Sequence, residues 1–224
     1  MGVTIFYSGK LIDPATLPRL VAELQLKCGQ LDWPCHLVDE RILGTVEYHT
    51  YHTDADDVVH TTVDTEPIDD RWQGVIIQPP ECESLFVTFN REGQLVDYDV
   101  PFAAAETPGR YVAREKFWCK TQFGTVDTHI EVCGLLRLVE PYIAEFEVID
   151  EGGYWESGDR ARLAAALDQI DQILTHLASE TGRAELQEIL GDEIDADNVE
   201  IGKRLERPNP TWRRDDRGVS ASEN

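Results

Sequence analysis

Residues 117–151, FWCKTQFGTVDTHIEVCGLLRLVEPYIAEFEVIDE, decide the fold. The pattern predicts a strand over 117–122 and a helix over 124–140, which opens at a glycine and a threonine. Pro141 ends that helix, because proline has no amide hydrogen to continue the ladder. A second strand is predicted over 143–149. The stretch is therefore expected to fold as a β-α-β unit.

The same plan occurs near the start of the chain, over residues 6–40. That unit and residues 118–151 are similar in length, and each ends in an acidic pair after an aliphatic residue, which predicts an internal pseudo-repeat. Four further strands are expected between them: Thr45–Thr53, Gly74–Gln78, Leu85–Asn90 and Leu95–Tyr98. This order predicts one α+β domain over residues 1–180, with a mixed or antiparallel sheet covered by helices, and a ferredoxin-like elaboration fits it.

The C-terminal part combines a helix with a basic tail. Asp159 is expected to cap a helix whose apolar residues recur at intervals of 4, 3, 4 and 3: Leu163, Leu167, Ile170, Leu174 and Leu177. That seam suits self-association or a protein partner, and packing on the protein's own sheet is the alternative. Residues 181–224 are expected to form a short helix and an irregular or disordered tail. Residues 203–217 contain six basic and three acidic residues around Trp212. This segment is expected to be a docking peptide, with Trp212 as its apolar anchor, or a tail that lies on the acidic body of the same chain.

Charge limits the partners of this chain. It carries 43 acidic and 20 basic residues, a net charge of -23, and such self-repulsion is relieved by salt, so we expect salt adaptation. Residues 1–180 alone hold 32 acidic and 13 basic residues, which disfavours binding to nucleic acid. Without a long apolar run or a leader, a cytoplasmic location and no membrane association are expected. Five cysteines without a C-x-x-C pair argue against disulfides and a structural zinc site.

The most polar stretch, residues 47–70, holds eight acidic residues, three histidines and no lysine or arginine. Its candidate ligands for a divalent metal are His49, His52, Asp56 and His60. Histidine and carboxylate side chains are competent ligands for zinc, manganese or iron. Because the composition favours a strand, His49 and His52 would lie on opposite faces, and a solvated acidic loop is the alternative interpretation.

A second candidate site lies at the expected strand ends. If the two β-α-β units are equivalent, Asp39 and Glu40 correspond to Asp150 and Glu151, at carboxyl ends where open sheets often bind ligands. The catalytic candidates there are Glu40, Asp150, Glu151 and Glu156. The adjacent Tyr154 and Trp155 are candidates for ligand binding, since paired carboxylates beside aromatic rings suit glycoside chemistry or a cationic ligand. Alternatively, the two aromatic residues cap the core.

A third candidate is a thiolate–imidazole pair of Cys119 and His129, with core packing of Cys119 as the alternative. The glycine-rich phosphate-binding motifs and the G-x-S-x-G elbow are absent. The sequence does not decide whether the chain is an enzyme. The leading hypothesis is a non-catalytic interaction or regulatory module, and the alternative is a metal-assisted or carboxylate-based hydrolase using the acidic strand-end loops.

Overall fold

The computed structural model describes residues 2–53, 59–96, 98–99, 110–113, 117–179 and 181. The strands are β1 (Thr4–Leu11), β2 (Cys35–Thr53), β3 (Val59–Ile77), β4 (Leu85–Phe89), β5 (Tyr98–Asp99), β6 (Arg110–Ala113), β7 (Phe117–Lys120) and β8 (Ile143–Asp150). The helices are α1 (Leu17–Leu31), α2 (Val126–Val139), α3 (Tyr154–Ser157) and α4 (Arg160–Ala178), with 3-10 turns at Pro14–Thr16 and Glu140–Tyr142. The α+β class predicted from the sequence is confirmed.

The segment that begins at Phe117 builds a three-stranded sheet of order β7-β1-β8. Both outer strands run antiparallel to β1, so β7 and β8 are parallel to each other and α2 connects them across the central strand. Thr125 caps α2 by accepting a hydrogen bond from the Thr128 amide at 3.1 Å, as Thr at a helix N-terminus commonly does. This strand–helix–strand unit agrees with the predicted one.

The N-terminal unit differs from the prediction, because its strands lie in different sheets. β2 belongs to a five-stranded sheet of order β4-β3-β2-β6-β5. Among the described strands, β2 and β6 are the only neighbours that pair in parallel. β2 also continues through the acidic pair to Thr53 and forms a hairpin with β3, in which Cys35 lies opposite Ile77 and Thr53 opposite Val59. Asp39 and Glu40 are therefore in mid-strand, and they do not correspond to Asp150 and Glu151.

Cross-strand ion pairs explain why the acidic residues do not end β2. Arg71 donates to both oxygens of Asp39 at 2.6 Å, and Arg41 donates to Asp69 at 2.9 and 2.8 Å. These bidentate contacts join β2 to β3 on an exposed face. The hydrogen bond from Arg71 lowers the pKa of Asp39, and that from Arg41 lowers the pKa of Asp69. Each carboxylate thus has a partner that favours its charged form within the sheet.

The main core lies between the helices and both sheets. α1 buries Leu20, Leu24 and Cys28, which recur every four residues and therefore lie on one face of the helix. α2 buries a wider apolar face, and Ile5 and Phe89 contribute from the two sheets. A smaller cluster of buried residues comprises Val38, Ile42, Val46 and Trp72. All five cysteines are free thiols, and Cys35 alone among them is half-buried rather than buried.

The first of two compact units ends at Leu167, and the second begins at Asp168. Asp159 caps α4 as predicted, accepting hydrogen bonds from the amides of Ala161 at 2.9 Å and Arg162 at 3.1 Å. In the first unit, Leu163 and Leu167 are buried. Ile170, Leu174 and Leu177 in the second unit are half-buried. The helix and tail predicted over 181–224 lie outside the described residues beyond Thr181.

Candidate binding site

A buried polar cluster lies where β7 and β8 end and α2 begins. Thr121 follows β7, His129 lies in the first turns of α2, and Asp150 is the last residue of β8. The Thr121 and His129 side chains are fully buried, and the Asp150 residue is only 7% exposed. His129 Nδ1 lies 2.7 Å from Thr121 Oγ1, and His129 Nε2 lies 3.1 Å from Asp150 Oδ2. The imidazole therefore links the ends of the two strands that flank β1.

The Asp150 carboxylate also holds the loop that follows β8. Its Oδ1 accepts the Gly152 amide at 2.7 Å, and its Oδ2 accepts the amides of Tyr154 at 2.8 Å and Trp155 at 2.9 Å. Burial acts to raise the pKa of Asp150, but His129 and the backbone amides outweigh that effect, so the pKa lies below its ordinary value. With His129, four donors satisfy one ionised carboxylate. The Asp150 carboxylate consequently fixes the turn that leads into α3.

Close packing around Gly152 reinforces this arrangement. A Cβ atom at Gly152 would lie 2.7 Å from Leu163 Cδ1, 3.1 Å from Asp150 Oδ1 and 3.2 Å from His129 Cε1. The next residue, Gly153, has a φ of 68°, in the left-handed region that glycine enters without steric cost. Two adjacent glycines thus allow the backbone to approach the carboxylate closely enough for its amides to donate.

Cys133 lies one turn beyond His129 and completes a group of metal-competent atoms. Ligand atoms of His129, Cys133 and Asp150 lie within 4.8 Å of one another. Burial raises the pKa of the Cys133 thiol to about 12, so the thiol is protonated at neutral pH. Both imidazole nitrogens and both carboxylate oxygens already have hydrogen-bond partners. An ion would have to displace these bonds and the thiol proton, so the cluster is better suited to holding the loop than to binding metal.

An open groove of about 350 Å³ runs between α2 and the loop that Asp150 holds. The residues lining it come from both elements: Ile130, Glu131, Cys133, Gly134, Arg137, Tyr154, Trp155 and Gly158. The Arg137 guanidinium stacks over the Trp155 ring with its Cζ atom 3.4 Å from the ring centroid, and its Nη2 donates to the Trp155 carbonyl at 2.8 Å. Trp155 is also in edge contact with Phe146. Contacts with both Arg137 and Phe146 therefore hold the Trp155 ring in place.

The candidate carboxylates do not meet in one cleft. Asp150 is buried in the cluster below the groove, whereas Glu151 Oε2 accepts the Thr4 amide at 3.0 Å and Glu156 is exposed. Glu40 lies opposite Trp72 in the other sheet. The structure does bring Tyr154 and Trp155 together with Asp150, through the two amides that its carboxylate accepts.

Three of the four candidate metal ligands of the acidic stretch belong to the strands β2 and β3. His49 is opposite Val63, and His52 is directly opposite His60. His52 follows His49 by three positions along β2, so their backbone positions alternate in face. Asp56 lies outside the described residues.

The thiolate–imidazole pair of Cys119 and His129 does not form. Cys119 Sγ donates to the Glu83 carbonyl at 3.1 Å, while both His129 nitrogens face Thr121 and Asp150. Burial raises the pKa of Cys119 well above its ordinary value, as for an inert core thiol. The sequence interpretation missed the partnership of Thr121, His129 and Asp150. The signal for it was the position of each residue at the end or start of a predicted element.

Comparison of the chain with protein-family models, curated proteins and solved structures finds no significant match. Within the described residues, no helix has the length and hydropathy needed to cross a membrane.

Proposed function

We propose that this chain is a non-catalytic interaction module that binds a segment of a protein partner in the groove between α2 and the Tyr154–Gly158 turn. The observation that carries the proposal is the set of four hydrogen bonds to Asp150, which fixes the loop carrying Tyr154 and Trp155. A binding surface whose shape is set before the partner arrives loses less entropy on association.

The hydrolase alternative has weaker support. It requires carboxylates that face a substrate, yet both oxygens of Asp150 are committed to hydrogen bonds inside the protein. The remaining candidates are dispersed, since Glu40 lies in the other sheet and Glu151 accepts a backbone amide of β1. General acid–base chemistry depends on a titrating group within hydrogen-bond reach of the substrate.

The apolar lining of the groove favours an apolar anchor residue, and the net charge of the chain favours a basic partner segment around it. Ile130, Tyr154 and Trp155 line the groove, and interface anchors commonly insert among aromatic side chains. The net charge of -23 attracts cationic chains and repels anionic ones at long range. Arg137 is already engaged by Glu140 and by the Trp155 carbonyl, so it does not need an anionic partner.

Gly134 and Gly29 provide a matched test. A Cβ at Gly134 would have one neighbour within 4 Å, Glu131 Oε2 at 3.7 Å, and this residue lines the groove. A Cβ at Gly29 in α1 would have none. Leucine is a far better helix former than glycine, so Gly134→Leu and Gly29→Leu should both fold, with unchanged net charge.

The experiment selects peptides from a random library on the full-length chain and measures their affinity for both variants by fluorescence anisotropy. Selected peptides should be rich in lysine and arginine around one apolar residue. They should lose binding to Gly134→Leu and keep it to Gly29→Leu. Equal binding to both variants, or selection of acidic peptides, would contradict the proposal.

Self-association through α4 is a separate part of this proposal. Its first two apolar positions, Leu163 and Leu167, are buried in the first unit, while Ile170, Leu174 and Leu177 continue the same spacing. A seam of that spacing suits pairing with a second helix. The acidic composition supports a salt-rich cytoplasm as the place of action, because cations screen the repulsion among carboxylates.

A further inference from the structure

The outer edge of β8 has no neighbouring strand among the described strands, because β8 is the last in the order β7-β1-β8. The Glu151 amide donates to the Thr4 carbonyl at 3.1 Å. Since the bonded positions of an antiparallel pair recur at every second residue, Ile149 and Glu147 also direct their amides and carbonyls towards β1.

The main-chain groups between these positions point to the outer edge. Because the C=O and N–H of one peptide bond point in opposite directions, the Phe146 carbonyl, both groups of Val148 and the Asp150 amide face away from β1. The Asp150 carbonyl agrees with this assignment, since it accepts the Gly153 amide at 3.0 Å from the turn after β8. In the described part of the chain, no hydrogen bond reaches the remaining groups. They are therefore available to an added strand.

Glu147 and Ile149 occupy the exposed face beside this edge. They lie two residues apart and so share one face of the sheet, and Ile149 is 54% exposed. Within the residues that the structure describes, no cationic side chain pairs with Glu147. The exposed carboxylates of Asp39 and Asp69 in the other sheet, by contrast, are each held by an arginine. Glu147 is therefore available to a cation from outside the chain.

We propose that the outer edge of β8 binds an extended segment of a protein partner as an added antiparallel strand, with lysine or arginine beside Glu147. Both existing pairs of this sheet are antiparallel, and antiparallel pairs are slightly more stable than parallel ones. Peptides that add a strand to a sheet edge take affinity from main-chain hydrogen bonds and specificity from alternate side chains. The residues that line the groove come from α2 and the turn after β8, so the two surfaces are distinct.

Charge decides between a basic segment and a second copy of the chain. A second copy would bring a further net charge of -23 and its own Glu147 to the same edge, and like charges across paired strands destabilise the pair. A basic segment instead places a cation beside Glu147. On the opposite face, Phe146 and Val148 are half-buried and pack against the main core, so apolar side chains of the added strand fit there. The partner segment therefore alternates basic and apolar residues.

The probe is an acetylated and amidated peptide in which lysine and valine alternate, added to the full-length chain labelled with ¹⁵N. Amide hydrogen exchange is followed residue by residue by NMR. In the free chain the Val148 amide should exchange faster than the Ile149 amide, which already bonds to β1. At a free peptide concentration about nine times its dissociation constant, exchange at Val148 should slow about tenfold, and exchange at Ile149 should change less.

Three controls separate strand addition from general attraction to an acidic chain. Methylation of the valine amide nitrogens removes the donors that face β8 in an antiparallel pair, so the methylated peptide should leave exchange at Val148 unchanged. Glu147→Gln should weaken the affinity of the probe about twofold to fivefold, as for an exposed ion pair. Glu92→Gln, which removes another exposed carboxylate, should not weaken it. Gly134→Leu, in the groove, should keep the slowing at Val148.

Four results would overturn the proposal. The first is unchanged exchange at Val148 with the probe, and the second is equal slowing by the methylated peptide. The third is slow exchange at Val148 in the free chain, which together with a doubled mass in light scattering would assign the edge to a second copy. The fourth is loss of the slowing in Gly134→Leu, which would assign the peptide to the groove.

Discussion

Replacing Asp150 with asparagine tests the claim that this carboxylate fixes the loop beside the groove. Asparagine keeps one acceptor oxygen and puts an NH₂ group at the other position. If that group replaces Oδ1, it faces the Gly152 amide, and two donors then meet where a hydrogen bond of 2.7 Å existed. The three bonds at Oδ2 persist, but their acceptor becomes neutral.

The magnitude follows from these four contacts. Hydrogen bonds to a charged acceptor exceed neutral ones by about 1 kcal/mol each, and an unsatisfied buried amide costs about 1 to 3 kcal/mol. Asp150→Asn should therefore lower the free energy of unfolding by about 4 to 6 kcal/mol, close to the roughly 3 to 5 kcal/mol lost when a buried ion pair loses one partner. The free energy of unfolding of most domains is only about 5 to 15 kcal/mol, so the variant should be measured in a buffer whose salt stabilises the fold.

Urea denaturation followed by circular dichroism provides the assay, with the slope checked for two-state behaviour. The matched control is Asp127→Asn, because Asp127 is exposed and pairs with Arg160 on the surface. The free energy of unfolding of that variant should be close to that of the unchanged chain, because exposed ion pairs contribute little to stability. A loss of less than about 1 kcal/mol for Asp150→Asn would refute the reasoning, since it would mean that four buried donors lose little when their acceptor is neutralised.

Four further outcomes are expected. Folding lowers the pKa of Asp150, so the contribution of its carboxylate to the free energy of unfolding is complete above the ordinary pKa of about 3.9 and is lost at lower pH. The difference in the free energy of unfolding between the chain and Asp150→Asn should therefore narrow below about pH 4. Gly152→Ala should cost about 1 to 3 kcal/mol because its Cβ would lie 2.7 Å from Leu163 Cδ1, whereas Gly29→Ala, which has open space, should be neutral or stabilising. The melting temperature should be higher in about 2 M KCl than in about 0.1 M KCl, and equal values would contradict salt adaptation. Leu174→Gln should shift the mass measured by light scattering towards that of the monomer, and an unchanged mass would contradict pairing through α4.

Local signals in the sequence predicted much of the fold. Thr125 and Asp159 begin helices as their side chains suggested, and both caps are formed by side-chain oxygens that accept backbone amides. The helical spacing in residues 17–31 predicts one buried stripe of six residues: Leu17, Leu20, Val21, Leu24, Cys28 and Leu31. In α1 three of them are buried, Leu20, Leu24 and Cys28, and the other three are half-buried. These features depend on neighbours within one or two turns, so a single sequence contains the information.

Features that depend on contacts between residues far apart in the sequence were harder to predict from it. The acidic residues at 39 and 40 suggested the end of a strand, yet Arg71 lies across the hairpin and joins Asp39 to β3. The contact of His129 with Asp150 likewise depends on β7 and β8 flanking β1. Thr121 was not recognised as a site residue, since its role appears only when the strand order is known.

The most direct test of the account measures amide hydrogen exchange in the chain with and without a bound basic peptide from the selection. The groove model predicts slower exchange over residues 130–137 of α2 and 151–158 of the loop when the peptide is bound. The same peptide should protect neither segment in Gly134→Leu. Protection confined to the β2–β3 hairpin, with no change at the loop held by Asp150, would contradict the central claim.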